Sequence, residues 1–433
     1  MTNISIPYYL GNIKLQINEE NLKAVIQHTE ENINEEPNEV EIVKRALEHP
    51  IGSKRLKDIA KDKEKILIIT SDHTRSVPSR ITLPLLLEEI RLNNKQADIS
   101  IIVATGLHRK TTDEELRRMF GDEIVDNERI VVSDAYKEED FVYICDLPSS
   151  ASFCVHKEAT ECDLLIAEGF IEPHFFAGFS GGRKSVLPGI CSKETINENH
   201  SYKAIANKNS IAGVLKDNPI SEDMDYAANR VNLQFILNVA LNPRKQIVEA
   251  FCGDMVKAYE VGVKYIRKTA QKKAVTGDII VTGNGGYPLD QNLYQSVKAV
   301  STAEICADEG AVIVMCCSCI DGMGGEHFGR IMTSGTPEEM MEFLSKIPPK
   351  ETIPEQWNAQ IYFKVLMKHK VILVSEYFDH EIIEKANIIA ASTIDEAMEK
   401  AFELKGKDAK VVVIPDGVAV MIVKYERIIY GKS

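Results

Sequence analysis

Histidine is the side chain whose ordinary pKa lets it take and give a proton near neutral pH, so a reaction that must run both ways at one carbon favours a pair of histidines. Two of the ten in this chain, His108 and His174, follow runs of strand-like residues and are read as opposed acid/base partners. The second lies in the densest stretch of chemistry, Glu172-PHFFAGFSGGRKSVLPGICSKETINEN-His200, which packs two histidines, a lysine and a glycine pair into a segment with little strand character. Loops of this kind usually serve a site. Gly181 and Gly182 let backbone approach a ligand, and Arg183 and Lys184 are candidates for a phosphate or carboxylate. The stretch is not a P-loop, because G-x-x-x-x-G-K-[ST] is absent although Ser185 follows Lys184. Upstream, Asp72, His73 and Arg75 in SDHTR form a second polar group. His73 is ambiguous there, since alternating side-chain directions can turn it away from its neighbours. Phe175 and Phe176 either shape a pocket beside His174 or anchor the loop.

These residues need a scaffold, and the chain announces one. From about Glu64, β-branched runs alternate with helical patterns: KILIIT (65–70), DISIIVAT (98–105), RIVVSD (129–134) and DLLIAEG (163–169). Such alternation reads as a parallel sheet with crossover helices. Apolar spacing over 81–92 gives one helix, and Thr111 with Glu114 reads as a capping box for the next. SDHTR and TGLHRK then stand just past the carboxyl ends of strands, where open α/β sheets bind ligands. The Lys- and Arg-rich helical stretch 255–273 is read as a connector. After it, DIIVTG (278–283), AVIVMC (311–316), KVILVSE (370–376) and KVVVIPDG (410–417) form a second set of strands, with Ser392 and Asp395 capping a helix. The expected fold is therefore α/β: two α/β domains, 1–270 and 271–433, with mostly parallel sheets and an active-site cleft between them.

Composition narrows the function. With 433 residues and 44% hydrophobic content the chain can bury more than one core. The balance of 51 Lys and Arg against 65 Asp and Glu, a net charge of −14, repels polyphosphate and argues against nucleic acid as a partner. No signal peptide or apolar run of about 18 residues is evident, which points to a cytoplasmic protein without a membrane partner. The acidic stretch 30–39 reads as a solvated loop. Nine cysteines, an odd number without a regular framework, suit reduced thiols. Cys316 and Cys319 make a C-x-x-C, but they follow an apolar run and no second Cys/His pair completes a zinc site, so the end of a buried strand is the favoured reading.

Taken together, Asp72-His73-Thr74-Arg75, Thr105-Gly106-Leu107-His108-Arg109, Pro173-His174, Gly178 through Lys184, Pro188-Gly189, His200 and Tyr294-Gln295-Ser296-Val297-Lys298 resemble the nickel-dependent lactate racemase family, in the expected order over about residues 70 to 300. The resemblance implies a racemase or epimerase of small 2-hydroxy acids. Its cofactor would be a nickel pincer nucleotide, a pyridinium-3-thioamide-5-thiocarboxylic acid mononucleotide holding nickel, bound covalently by Lys184. His200 would ligate the nickel, a role that spacing alone does not give. His108 and His174 would exchange the substrate proton while hydride leaves and returns. Arg75 and Lys298, with Gln295 and Trp357, would hold the substrate, and Asp72, His73, Thr74, Arg75 and Tyr294 the cofactor. Without the resemblance, Gln295 and Lys298 read as an exposed helical face, and burial at the domain junction suits Trp357, in the irregular EQWNAQ stretch, equally well. Cofactor-assembly proteins would be transient partners. Two other readings stand beside this one. A nicotinamide-dependent oxidoreductase lacks the G-x-G-x-x-G it needs between strand and helix, and a noncatalytic nickel or nucleotide carrier has no use for two opposed histidines.

Overall fold

A computed structural model describes residues 1–28, 36–242 and 244–424; most of the acidic stretch 30–39 lies outside the described residues. The chain forms two compact units. One comprises 30–200 and 207–268, and the other 1–29, 201–206 and 269–433.

The first unit is built on a six-stranded sheet. Across it run Ile247–Asp254, Leu233–Leu241, Leu164–Phe170, Lys65–Ser71, Asp98–Ala104 and Arg129–Val132. All neighbours are parallel except the first pair. The reason lies in the sequence: Lys65–Ser71 and Asp98–Ala104 each carry five consecutive buried residues, the signature of strands covered on both faces. Each fully buried Ile or Leu contributes roughly 1.5–3 kcal/mol, so these runs fix the centre of the sheet. The helix Ser79–Arg91 returns the chain from the first of these strands to the second. The next helix, Asp113–Phe120, starts one residue later than expected, because the capping box is Thr112 with Glu115 rather than Thr111 with Glu114. Thr111 instead bonds His73, which leaves the following threonine to cap.

The second unit holds another six-stranded sheet, parallel throughout, ordered Ile389–Ala391, Lys370–Val374, Ala307–Cys316, Gly277–Gly283, Val411–Ile414 and Leu22–Val25. Its outermost strand therefore comes from the opening residues. They also form a hairpin of Thr2–Tyr8 and Gly11–Ile17, whose Ile4, Ile6, Leu15 and Ile17 join the core of this unit. The 255–273 stretch divides into a helix, Met255–Ala270, and a short strand, Gln271–Lys273, which pairs in parallel with Met421–Val423. The helix Ile394–Lys405 is capped by Thr393 over Glu396, again one residue past the expected pair Ser392 and Asp395. Cys316 ends a buried strand as expected, and all nine cysteines are free. Among the described residues, no helix is long and apolar enough to cross a membrane.

Candidate active site

In the first unit, Asp72 lies just past the strand Lys65–Ser71 and is 1% exposed. Its Oδ2 accepts a 2.7 Å hydrogen bond from Nδ1 of His108, and its Oδ1 accepts one of 2.7 Å from the Thr74 hydroxyl. Burial by itself would raise this carboxyl. The His108 imidazole outweighs it, helped by the Arg75 charge and the Thr74 hydroxyl, and holds Asp72 down at about 2. An ionised carboxylate only accepts, so Nδ1 of His108 carries a hydrogen, and in the neutral ring the lone pair is left on Nε2, the arrangement of an oriented general base. His108 itself sits on the turn after Asp98–Ala104, its backbone N–H bonded to the Thr105 carbonyl.

Arg75 is close enough to act electrostatically on Asp72, and no hydrogen bond or ion pair of its guanidinium occurs among the described residues. A fork-shaped cation beside a carboxylate-bound histidine suits a substrate carboxylate. His73 points elsewhere: its Nδ1 meets the Thr111 hydroxyl at 3.1 Å and lies 3.8 Å from Glu115. Burial lowers its pKa, with Asp72 and Glu115 opposing. Of the SDHTR group, Asp72, Thr74 and Arg75 gather around His108 and His73 turns away.

The second cluster comes from the 172–200 stretch, which the structure resolves into a two-residue β pairing of Pro173–His174 with Gly178–Phe179, a 3-10 turn Gly182–Ser185 and a helix Lys193–Asn199. His174 is 5% exposed, and its Nδ1 accepts from the backbone N–H of Ala177 at 3.3 Å. A neutral His174 therefore carries its hydrogen on Nε2, the opposite tautomer to His108. Phe175 stacks on its ring at 4.9 Å and Phe176 meets it edge-on at 4.5 Å. Phe176 also meets His200 edge-on at 5.0 Å, and the Lys184 ammonium stands 5.9 Å from the Phe176 ring. One buried phenylalanine thus gathers His174, Lys184 and His200.

Lys184 and Arg183 part company. Arg183 is 1% exposed, lies 4.4 Å over the Tyr259 ring, pairs with Asp225 at 2.5 Å and donates to Ser221 at 2.8 Å. Its guanidinium is thus turned into the protein, although its buried Nη1 makes no hydrogen bond. Gly182 permits this turn: its φ is +53°, a Cβ there would lie 2.9 Å from Tyr259, and its N–H is held by Asn238 at 2.8 Å. At the far end of the loop a Cβ on Gly189 would collide with the Ser185 carbonyl and press on Ala104, the last residue of the strand before His108. The Gly189 carbonyl accepts from Gly106 N–H at 3.0 Å. The lysine loop and the His108 turn are thereby tied together.

His200 closes the helix Lys193–Asn199 and is 3% exposed. Burial, reinforced by the Lys184 charge, pushes its pKa down to about 3, so the imidazole is neutral at pH 7 and its chemistry is that of a nitrogen donor for a borderline metal such as nickel. The helix that carries it is clamped by its own polar side chains: Thr195 bonds the strand Ser152–His156, and Asn199 donates to buried Asp223 at 2.8 Å. Sequence reasoning passed over Asp223 and also Glu168, whose only signal was a carboxylate inside an apolar run. Among the described residues no three His, Cys, Asp or Glu side chains come together to hold a metal. A metal held at His200 would thus need most of its ligands from a bound organic group.

In the second unit, Tyr294, Gln295 and Lys298 lie on the helix Leu293–Ile305, capped by Asn292 through the Gln295 N–H. Lys298 is 9% exposed, so the exposed-face reading fails for it. Trp357 is helical, not irregular, within Gln356–Leu366; its Nε1 donates to the Tyr294 hydroxyl at 3.2 Å, and Asn358 donates to the Tyr294 carbonyl.

A carboxylate-bound histidine and a buried one thus share an α/β unit with a lysine-bearing loop, a set of groups able to do acid–base chemistry. Comparison with known proteins makes the assignment specific. Residues 8–213 match the lactate racemase N-terminal domain and residues 272–422 the lactate racemase C-terminal domain. The chain is 46% identical to the lactate racemase of Thermoanaerobacterium thermosaccharolyticum over 98% of its own length and 99% of the relative's. It is 44% identical to that of Lactiplantibacillus plantarum, over 98% of this chain and all of the relative. The lactate racemase apoprotein structure from T. thermosaccharolyticum superposes with a TM-score of 0.93, covering 98% of this chain and 100% of that one at 46% identity. A Thermotoga maritima crystal structure, 17% identical, shares the fold with a TM-score of 0.67 over 89% of this chain and 98% of its own. The chain belongs to the lactate racemase family and is an isomerase of that kind.

Proposed function

We propose that this enzyme inverts the α-carbon of a small 2-hydroxy acid, with lactate the first candidate because both curated relatives carry that name. The observation that carries the reading is two histidines in one unit whose Nδ1 atoms are held in opposite senses, one donating to Asp72 and one accepting from the Ala177 N–H, which in the neutral rings gives opposite tautomers. His108, whose neutral ring leaves a lone pair on Nε2, takes the hydroxyl proton of one enantiomer. His174, with Nε2 protonated, faces the same task in reverse for the other, and the proton is returned to the oxygen from whichever side the inverted product requires. Arg75 binds the carboxylate. The roles of Tyr294, Gln295, Lys298 and Trp357 toward substrate and cofactor, and those of Asp72, His73 and Thr74 toward cofactor, rest on the family resemblance.

The residues suit a nickel pincer nucleotide. Lys184 would hold it covalently and His200, kept neutral by burial, would ligate its nickel. A single protein imidazole matches a metal whose other donors come with the organic group. When bound, the nucleotide supplies a centre that accepts and returns hydride, interconverting the hydroxy acid and its planar 2-keto acid. The partners this calls for are the hydroxy acid and, transiently, the proteins that assemble the cofactor.

The test is to produce the chain together with cofactor-assembly enzymes, then measure the intact mass, the nickel content and the racemisation of L-lactate by chiral chromatography. An adduct on Lys184, bound nickel and inversion with little solvent deuterium at the α-carbon are expected. Full activity in unmodified, metal-free protein, or extensive deuterium incorporation, would end the reading.

A further inference from the structure

Glu168 lies in the middle of the first unit's sheet, on the strand Leu164–Phe170, and is 0% exposed. Its carboxyl accepts from three hydroxyls: Thr70 and Ser79 at 2.5 Å each on Oε1, and Thr82 on Oε2. Thr70 belongs to the strand that ends at Ser71, whereas Ser79 and Thr82 belong to the first turn of the helix that begins at Ser79. The two ends of the 72–78 connection, which carries Asp72, Thr74 and Arg75, are therefore fastened to one side chain. The Thr70 and Ser79 hydroxyls stand 3.4 Å apart across this knot.

A buried carboxyl is costly, and apolar residues of similar volume in place of a buried polar cluster are often neutral or stabilising. Burial does press on this one, pushing its pKa up against the pull of the three hydroxyls. Stability therefore gives no reason for a carboxyl here. Geometry gives one: a group with two acceptor oxygens can draw a strand end and a helix start to a single point, and a hydrocarbon cannot. We infer that Glu168 is a positioning residue that clamps the 72–78 connection, so that Asp72 meets His108 and Arg75 stands ready for the substrate carboxylate. The inference rests on the proposed racemase reading for its kinetic arm only.

Two variants test it. Glu168→Gln keeps the shape and removes one acceptor. A fourfold variant, Glu168→Met with Thr70→Val, Ser79→Ala and Thr82→Val, removes every partner at once, so that no buried hydroxyl is stranded. The cofactor-loaded protein is assayed for kcat and KM on the inverted hydroxy acid. In parallel, nitrogen-15 histidine NMR on the full chain follows the His108 Nδ1–H, and thermal melting follows the fold. The clamp predicts that the fourfold variant melts within a few degrees of wild type or above it, while kcat/KM falls on the order of 10- to 100-fold with KM raised, and the His108 Nδ1–H exchanges faster. Glu168→Gln should fall between. A purely structural role would lower the active fraction, and with it the apparent kcat, but leave KM and the His108 signal unchanged. That result, in the fourfold variant or in Glu168→Gln should the former not fold, overturns the proposal. If wild type racemises no hydroxy acid, the racemase reading fails, and the NMR arm still decides whether Glu168 sets the Asp72–His108 contact.

Discussion

His108 and His174, the two proposed acid/bases, stand in contrasting surroundings. His108 stands on a turn with its side chain 30% exposed, aligned by an ionised carboxylate and a threonine. His174 is buried, aligned by a backbone N–H and wedged between two phenylalanine rings. The first is oriented by charge and the second by packing. A carboxylate fixes which ring nitrogen carries the hydrogen and tolerates solvent, whereas an aromatic wall fixes the ring by shape. The pair is thus symmetric in its proposed role and asymmetric in what disturbs it.

The strongest way to break the comparison is to remove each ring. His108→Ala and His174→Ala should each lower racemisation about 10²- to 10⁴-fold in a chiral product assay, with nickel content unchanged. If one variant turned over normally, the two would not be partners. Next in size, Asp72→Asn should slow turnover by roughly 10²-fold, because an amide offered to Nδ1 invites the wrong tautomer.

A third test separates charge from packing through stability. The folded Asp72 carboxyl is held at about 2, below its ordinary value, so its contribution is complete at neutral pH and is lost as pH falls from about 4 toward 2. Urea unfolding at pH 6 and again near pH 2.5 should show wild type losing about 2 kcal/mol more than Asp72→Asn. Phe176→Leu should act on the other side, lowering stability by less than about 1.5 kcal/mol with little pH dependence. The smallest effect belongs to Thr74→Val, which removes one hydrogen bond to Asp72 and should cost about 1 kcal/mol in the same unfolding assay at neutral pH.

The parallel strands were legible because a strand buried on both faces must read as an unbroken β-branched run, as 65–70 and 311–316 do. Capping positions slipped by one residue where two candidate cap residues stand together, Thr111 beside Thr112 and Ser392 beside Thr393, since tertiary contacts choose between them. Arg183 and Lys184 look alike in sequence; only the positive-φ turn at Gly182 and the location of Asp225, forty-odd residues on, send one inward. Leu22–Val25 was missed because four residues of half-buried alternation carry little signal, and its partner Val411–Ile414 is almost the whole chain away. Of the site, the types and neighbourhoods of His108, His174 and Lys184 were readable. The proposed ligand role of His200 rests on the family resemblance, and the Asp72–His108 bond required the fold.

That distant pairing sets a rule for dissecting the molecule. An excised fragment beginning at 271 would leave one side of Val411–Ile414 with bare amide and carbonyl groups, and would strip Ile4, Ile6, Leu15 and Ile17 from the core they help fill. During synthesis, Leu22–Val25 emerges long before the strand it pairs with, Val411–Ile414, is made. A fusion or permuted chain that keeps Leu22–Val25 together with Val411–Ile414 should succeed where simple bisection aggregates.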